Sequence, residues 1–190
     1  MCERNQMNIN NFSPDTLKII TSFLDNKSSI NLITTSQTIN KHGKIHGFLT
    51  NISIGVGDFP NMMDFIKRFC EHSQCLKSVL IRGIDDPQLW IPRYTERMVF
   101  DHCSIFSYIN PGKQGNITKS LVIKDYHRYK NKQTLRINWK CFPNLEELEV
   151  YTHDVDWRDA HLLKNIKRVK INTCNSKPAN LFNHINMDNQ

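Results

Sequence analysis

The sequence predicts an α/β protein, with three short N-terminal helices followed by a short solenoid built on a parallel sheet. Two patterns carry this reading. Capped, amphipathic segments with helical spacing fill residues 9–47. A motif of the form apolar-x-x-apolar-x-apolar then recurs six times between residues 49 and 171. The composition agrees. The 190 residues are 39% hydrophobic and 23% charged, which suffices for a folded core without staples. No apolar run approaches the roughly 18 residues needed to cross a bilayer, so no membrane partner is expected. The boundaries read from these patterns are a helical module at 9–47, a solenoid at 48–176 and a tail at 177–190.

The first helix starts at Ser13-Pro14-Asp15. Serine can cap free backbone N–H groups, proline suits the first helical position, and aspartate favours the positive end of the dipole. Leu17, Ile20 and Leu24 then form an apolar stripe, widened by Ile19 and Phe23. Asp25-Asn26-Lys27 interrupts it, and Ser28 or Ser29 can cap a second helix carrying Ile30, Leu32 and Ile33. Ser36 can cap a third helix with Ile39, which Gly43 would end in a left-handed cap. Three helices this short have more apolar surface than they can bury on one another. Some of it should meet a partner or the rest of the chain.

The string from Phe12 through Ser22-Phe23-Leu24-Asp25, Lys27-Ser28 and Leu32 to Ser36 and Ile39 resembles an F-box. The likeness covers about residues 9–47. Phe12 stands where that family opens with Leu, Ser13 where it has Pro, and Pro14 lies one place late. The resemblance implies docking on the Skp adaptor of a cullin-scaffolded ubiquitin ligase. The residues that match the docking pattern are Phe12, Pro14, Ile20, Leu24 and Leu32.

The repeated motif falls at Leu49/Ile52/Ile54, Leu76/Val79/Ile81, Leu145/Leu148/Val150 and Ile166/Val169/Ile171. Two further copies begin with Thr, at Thr95/Met98/Phe100 and Thr118/Leu121/Ile123. Successive offsets are 27, 19, 23, 27 and 21 residues. One strand and one return segment make a coil whose apolar edge is buried only by stacking on its neighbours. This pattern resembles leucine-rich repeats. In that family, Asn or Cys three residues past the motif bonds backbone groups in the turn, a place taken here by Cys103 and Cys174. Asn61–Phe69 reads as a helical return and Ala160–Ile166 as a shorter one. Tyr126–Lys140 fits the repeat poorly, and Leu135-Arg136-Ile137 offers a strand out of register. By period-2 alternation, Arg82, Asp101, Lys124, Glu147, Glu149, Arg168 and Lys170 face outward. Of these, Arg82, Lys124, Glu149 and Lys170 are the candidate target-binding residues.

Little else in the chain carries chemistry. Cys70, His72 and Cys75 have no standard zinc spacing and no second matching pair, so neither a metal nor a cofactor is expected. Walker A, G-x-S-x-G and G-x-G-x-x-G motifs are missing, and the protein reads as non-enzymatic. Trp90, Trp139 and Trp157 are expected in packing roles near loops. The six cysteines, with no secretory leader pattern at Met1–Gln6, are expected as reduced thiols in cytoplasm or nucleus. The chain has 21 Asn, 21 Ile and 16 Lys, which suggests an A/T-rich genome such as a large DNA virus and hence a host-cell cytoplasm. The net charge of +7 admits nucleic acid or an acidic partner, but it is dispersed without a basic run and reads first as a solvated basic surface. The mixed signs of the outward residues suggest a protein target rather than a nucleic-acid backbone.

The resemblance as a whole implies a substrate-recognition adaptor of a Skp–cullin–F-box ubiquitin ligase that presents an unknown protein target. The alternatives are a repeat protein that binds a partner without recruiting a ligase, or a basic nucleic-acid binder.

Overall fold

A computed structural model of the chain describes residues 9–46, 49–55, 76–83, 95–103, 108–109, 116–125 and 131–174. Helices α1 (Pro14–Ser22), α2 (Asn26–Thr34) and α3 (Gln37–His46) come first. Strands β1 (Asn51–Gly55), β2 (Ser78–Arg82), β3 (Arg97–Asp101), β4 (Tyr108–Ile109), β5 (Ser120–Lys124) and β6 (Thr134–Ile137) follow. The last are β7 (Glu147–Tyr151), β8 (Asp154–Asp156) and β9 (Arg168–Asn172).

The helix starts are set by side-chain caps. Ser13 accepts from Thr16 N–H at 3.2 Å, with Pro14 in the first turn of α1. Ser36 accepts from the N–H groups of Thr38 and Ile39 at the start of α3. The cap of α2 is Asp25, not Ser28 or Ser29. Asp25 Oδ1 accepts from Ser28 N–H at 2.7 Å while the Ser28 hydroxyl donates to Oδ2. Ser29 is buried instead, its hydroxyl directed at the Thr21 carbonyl. Gly43 does not end α3 either. The helix continues to His46 with Gly43 buried, where α3 packs on α1 and α2.

The solenoid follows from the repeat. Six strands pair in the order β1-β2-β3-β5-β7-β9, and every pair is parallel. A second, three-stranded parallel sheet has the order β4-β6-β8. The chain therefore winds through about three turns with a strand on each of two sides, β3–β4, β5–β6 and β7–β8. Leu135 and Ile137, out of register in the repeat, belong to this second sheet and are buried there.

The three apolar places of the motif become three buried rows. Leu49, Leu76, Thr95, Thr118, Leu145 and Ile166 lead into the strands. Ile52, Val79, Met98, Leu121, Leu148 and Val169 make the second row, in register. Ile54, Ile81, Phe100, Ile123 and Val150 make the third, with Ile171 half-buried at its end. In the first row the Thr118 hydroxyl is accommodated by donating to the Thr95 carbonyl one coil back, at 3.0 Å, whereas the buried Thr95 hydroxyl has no hydrogen-bond partner among the described residues. One apolar cluster joins these rows to Leu17, Ile30, Ile33 and Ile39 of the helices.

The turns agree with the sequence at Cys103 and differ at Cys174. Cys103 is buried and its thiol is directed at the Ile81 and Asp101 carbonyls, at 3.4 and 3.5 Å. Cys174 is exposed, and its contribution is a backbone N–H donated to the His153 carbonyl. The return at Ala160 is a single 3-10 turn, Ala160–Leu162, within the connection from β8 to β9. Behind β8, Trp139 and Trp157 stack at 5.4 Å and 8°, and Trp139 Nε1–H donates to the Asp156 carbonyl at 3.0 Å. The expected return at Asn61–Phe69, the Cys70/His72/Cys75 group, Trp90 and the tail after residue 177 lie outside the described residues.

Candidate functional site

Two surfaces present residues with no obvious duty to the core. The first is the C-terminal end of α1. Leu17 and Thr21 turn inward and are buried, which leaves Ile19, Phe23 and Leu24 outside at 61%, 82% and 38% exposure. Ile20 is half-buried beside them. Positions 19 and 23 are one turn apart, Ile20 adjoins Ile19, and Leu24 follows directly after the cap, so all four belong to the last turn and exit of the helix. Phe23 is the helix C-cap, its N–H directed at the Ile20 and Thr21 carbonyls, and this fixes where its ring leaves the helix.

The sequence-predicted docking residues divide. Ile20 and Leu24 belong to this patch. Pro14 is half-buried at the opposite end of α1. Phe12 and Leu32 are partly buried and rest against the core cluster, so part of their surface is already committed inside the molecule. Ile19 and Phe23 were not among the predicted docking residues, yet they are the most exposed apolar side chains of the patch.

The second surface is the open face of the six-stranded sheet. Between the two buried rows runs an outward row of Ser53, Leu80, Val99, Val122, Glu149 and Lys170. The next outward row is Gly55, Arg82, Asp101, Lys124, Tyr151 and Asn172. All four candidate target-binding residues, Arg82, Lys124, Glu149 and Lys170, stand on this face. They do not act alike. Arg82 Nε is held by Asp101 at 3.2 Å, and His102 Nδ1 reaches the same carboxylate at 2.9 Å. Arg168 pairs with Glu147 on the neighbouring strand. Lys124 and Lys170 instead gather at Tyr151, their ammonium groups 5.8 and 5.5 Å from its ring centroid.

Tyr151 was missed by the sequence reading, although alternation from Glu149 places it outward. Val99 and Val122 were missed because they break the alternation. They sit in unbroken apolar runs, Met98–Phe100 and Leu121–Ile123, and are buried without joining the core cluster. Val122 lies in the wall of a shallow cavity of about 280 Å³, rimmed by Arg97, Glu147, Glu149 and Lys170.

Electrostatics follow local hydrogen bonds. The N–H and hydroxyl of Ser28 hold the Asp25 carboxyl below its ordinary range. Lys167, donating at 2.7 Å, does the same for Glu146. Arg158 does so for Asp156 through Nε and Nη2, and is itself raised. Among the described residues no group of three His, Cys, Asp or Glu side chains could hold a metal ion. No described helix is long and apolar enough to cross a membrane. The helix-end patch is apolar, and the sheet face combines charged side chains with an apolar floor. Comparison with protein-family models, curated proteins and solved structures finds no match.

Proposed function

We propose that the chain is a non-catalytic adaptor. Its helical module, read as an F-box, docks on the Skp adaptor of a cullin ubiquitin ligase. Its solenoid, read as leucine-rich repeats, holds a protein target. The observation that carries the reading is the apolar patch of Ile19, Ile20, Phe23 and Leu24 at the end of α1, on the segment whose sequence most resembles the docking motif. A Phe and three aliphatics on one helix end suit a groove on a partner, each contributing roughly 1.5–3 kcal/mol when fully buried. The face of the solenoid is separate from this patch in sequence, and its mixture of charge and apolar floor suits a protein rather than a polyphosphate. The mechanism is proximity: one end holds the ligase, the other the target, and the effective concentration of each about the other rises.

Purified wild-type protein is expected to capture the Skp adaptor, and Phe23→Asp with Leu24→Asp to lose it. Both positions are exposed, so circular dichroism of the double variant should match wild type. Capture that survives in a folded double variant removes this patch as the docking site, and absence of capture by wild type removes the adaptor reading.

A further inference from the structure

Resting on the reading of the sheet face as a target-binding surface, we propose that Arg97 is the residue of that face that reads an anion. A single Asp or Glu side chain of the target enters the cavity beside Arg97, pairs with the guanidinium and accepts from the Ser120 hydroxyl.

Register makes Arg97 unlike the other cations of the face. Arg82 is bonded to Asp101, and Arg168 to Glu147. Lys170 lies in register with Glu149, and Lys124 lies between Asp101 and Tyr151. Arg97 has no carboxylate beside it on either strand. Its partners in register are Ser78 on β2 and Ser120 on β5. Glu96, next to it in the chain, is directed at Lys119 instead, at 4.0 Å. The Arg97 side chain is exposed, and among the described residues none forms an ion pair or a hydrogen bond with it.

Ser120 adds a buried donor. It is 8% exposed, stands in the outward row of β5 and lines the cavity together with Arg97. Among the described residues its hydroxyl has no hydrogen-bond partner. Such a group has lost its water without replacement, so a ligand atom that reaches it is favoured. Arginine presents a fork of N–H donors that matches both oxygens of a carboxylate. Neighbouring strands are about 4.8 Å apart, which brings a carboxylate on that fork within reach of the hydroxyl on the next strand. The cavity, about 280 Å³, is just below the roughly 300–1,000 Å³ of small-molecule sites. It suits one polar side chain of a segment that lies along the rest of the face. Glu147 and Glu149 close its far side. At the backbone, Glu147 is two strands from Arg97, about 9–10 Å, and its charge is met by Arg168. A single carboxylate at Arg97 stays clear of both acids, whereas a polyphosphate running across the face would meet them.

The probe is an array of twelve-residue peptides, each with one Glu at its centre in varied sequence otherwise free of charge. Matched peptides with Gln in place of Glu, and a twelve-nucleotide oligothymidine, serve as comparisons. Binding of the labelled full chain is read at physiological salt, and the best-bound pairs are titrated by anisotropy. Wild type should bind the best Glu peptides at least about tenfold more tightly than their Gln partners, and more tightly than the oligonucleotide. Arg97→Gln should bring Glu and Gln peptides within about twofold of each other. Ser120→Ala should cut the preference about threefold or more, with circular dichroism unchanged. Arg97→Lys keeps the charge without the fork and should fall between wild type and Arg97→Gln. Lys164→Gln, the same change in charge outside the strands of the face, should keep the preference. A preference undiminished in Arg97→Gln or Ser120→Ala, or lost equally in Lys164→Gln, would overturn the site. No preference for Glu, no bound peptide, or tighter binding of the oligonucleotide, would overturn the proposed occupant. Skp capture involves none of these residues. Its persistence alongside such a failure leaves the adaptor reading standing, and its absence in wild type removes that reading whatever the peptides do.

Discussion

Truncation of Phe23 and Leu24 to alanine should separate docking from stability. Phe23 is 82% exposed and Leu24 38%, so most of one side chain and about a third of the other remain to be buried by a partner. With about 1.5–3 kcal/mol for a fully buried side chain of this size, Phe23→Ala forfeits about 2 kcal/mol of docking and Leu24→Ala about 1. Together that is about 3 kcal/mol, or roughly 100-fold in Kd. Calorimetric titration of the purified Skp adaptor measures it directly. The folded state has little to lose at these positions, so urea unfolding of the double variant should stay within about 0.5 kcal/mol of wild type. Leu17→Ala is the contrast. Leu17 is 1% exposed, so its truncation should cost about 2–5 kcal/mol of stability. Unchanged affinity in the Phe23/Leu24 double variant would refute the reasoning. So would a loss of stability as large as that of Leu17→Ala, because it would mean the patch is core.

Three further outcomes follow from the described contacts. Trp139→Phe keeps an aromatic ring against Trp157 but leaves the Asp156 carbonyl without its indole donor, and should cost about 1–3 kcal/mol by urea unfolding. Ser36→Ala, which removes the acceptor for two N–H groups at the start of α3, should cost about 1 kcal/mol in the same assay. Asp25, Glu146 and Asp156 are all held below their ordinary values of 3.8, 4.5 and 3.8, so their contribution is complete above those values. It is lost as pH falls through the lower folded values. The thermal midpoint should therefore drop on acidification below about pH 4. Asp25→Asn, which keeps an acceptor at the cap, should lessen that drop, and an identical acid limb would show that the cap charge is not involved.

Much of the fold was legible because its determinants are local or periodic. Ser13 and Ser36 each act within three residues, and the sequence places both. Asp25 shows the edge of that method: the sequence offers Ser28 or Ser29 as the cap of α2, and geometry chose the Asp25 carboxylate instead because it bonds the N–H and the hydroxyl of Ser28 together. Gly43 shows another edge. Its freedom permits a helix end, but packing of α3 on α1 and α2 keeps it helical and buried. The candidate sites were legible in part. Charged outward residues announce themselves by alternation, as Arg82 and Lys170 did, and Tyr151 could have been found the same way, whereas Val122 sits in an unbroken apolar run and becomes part of a surface only through its neighbours on adjacent strands.

The six repeat copies alone dictate that the strands carrying them stack in parallel. A coil with three apolar places has one way to remove them from water, on the same places of the next coil, and six copies repeat that demand. What lies on the face left over depends on how the packed strands and helices meet. Register brought Lys124, Tyr151 and Lys170 together from three strands, and burial of Leu17 and Thr21 turned Ile19, Phe23 and Leu24 outward. Such surfaces arise from contacts between residues distant in the chain, which no local pattern encodes.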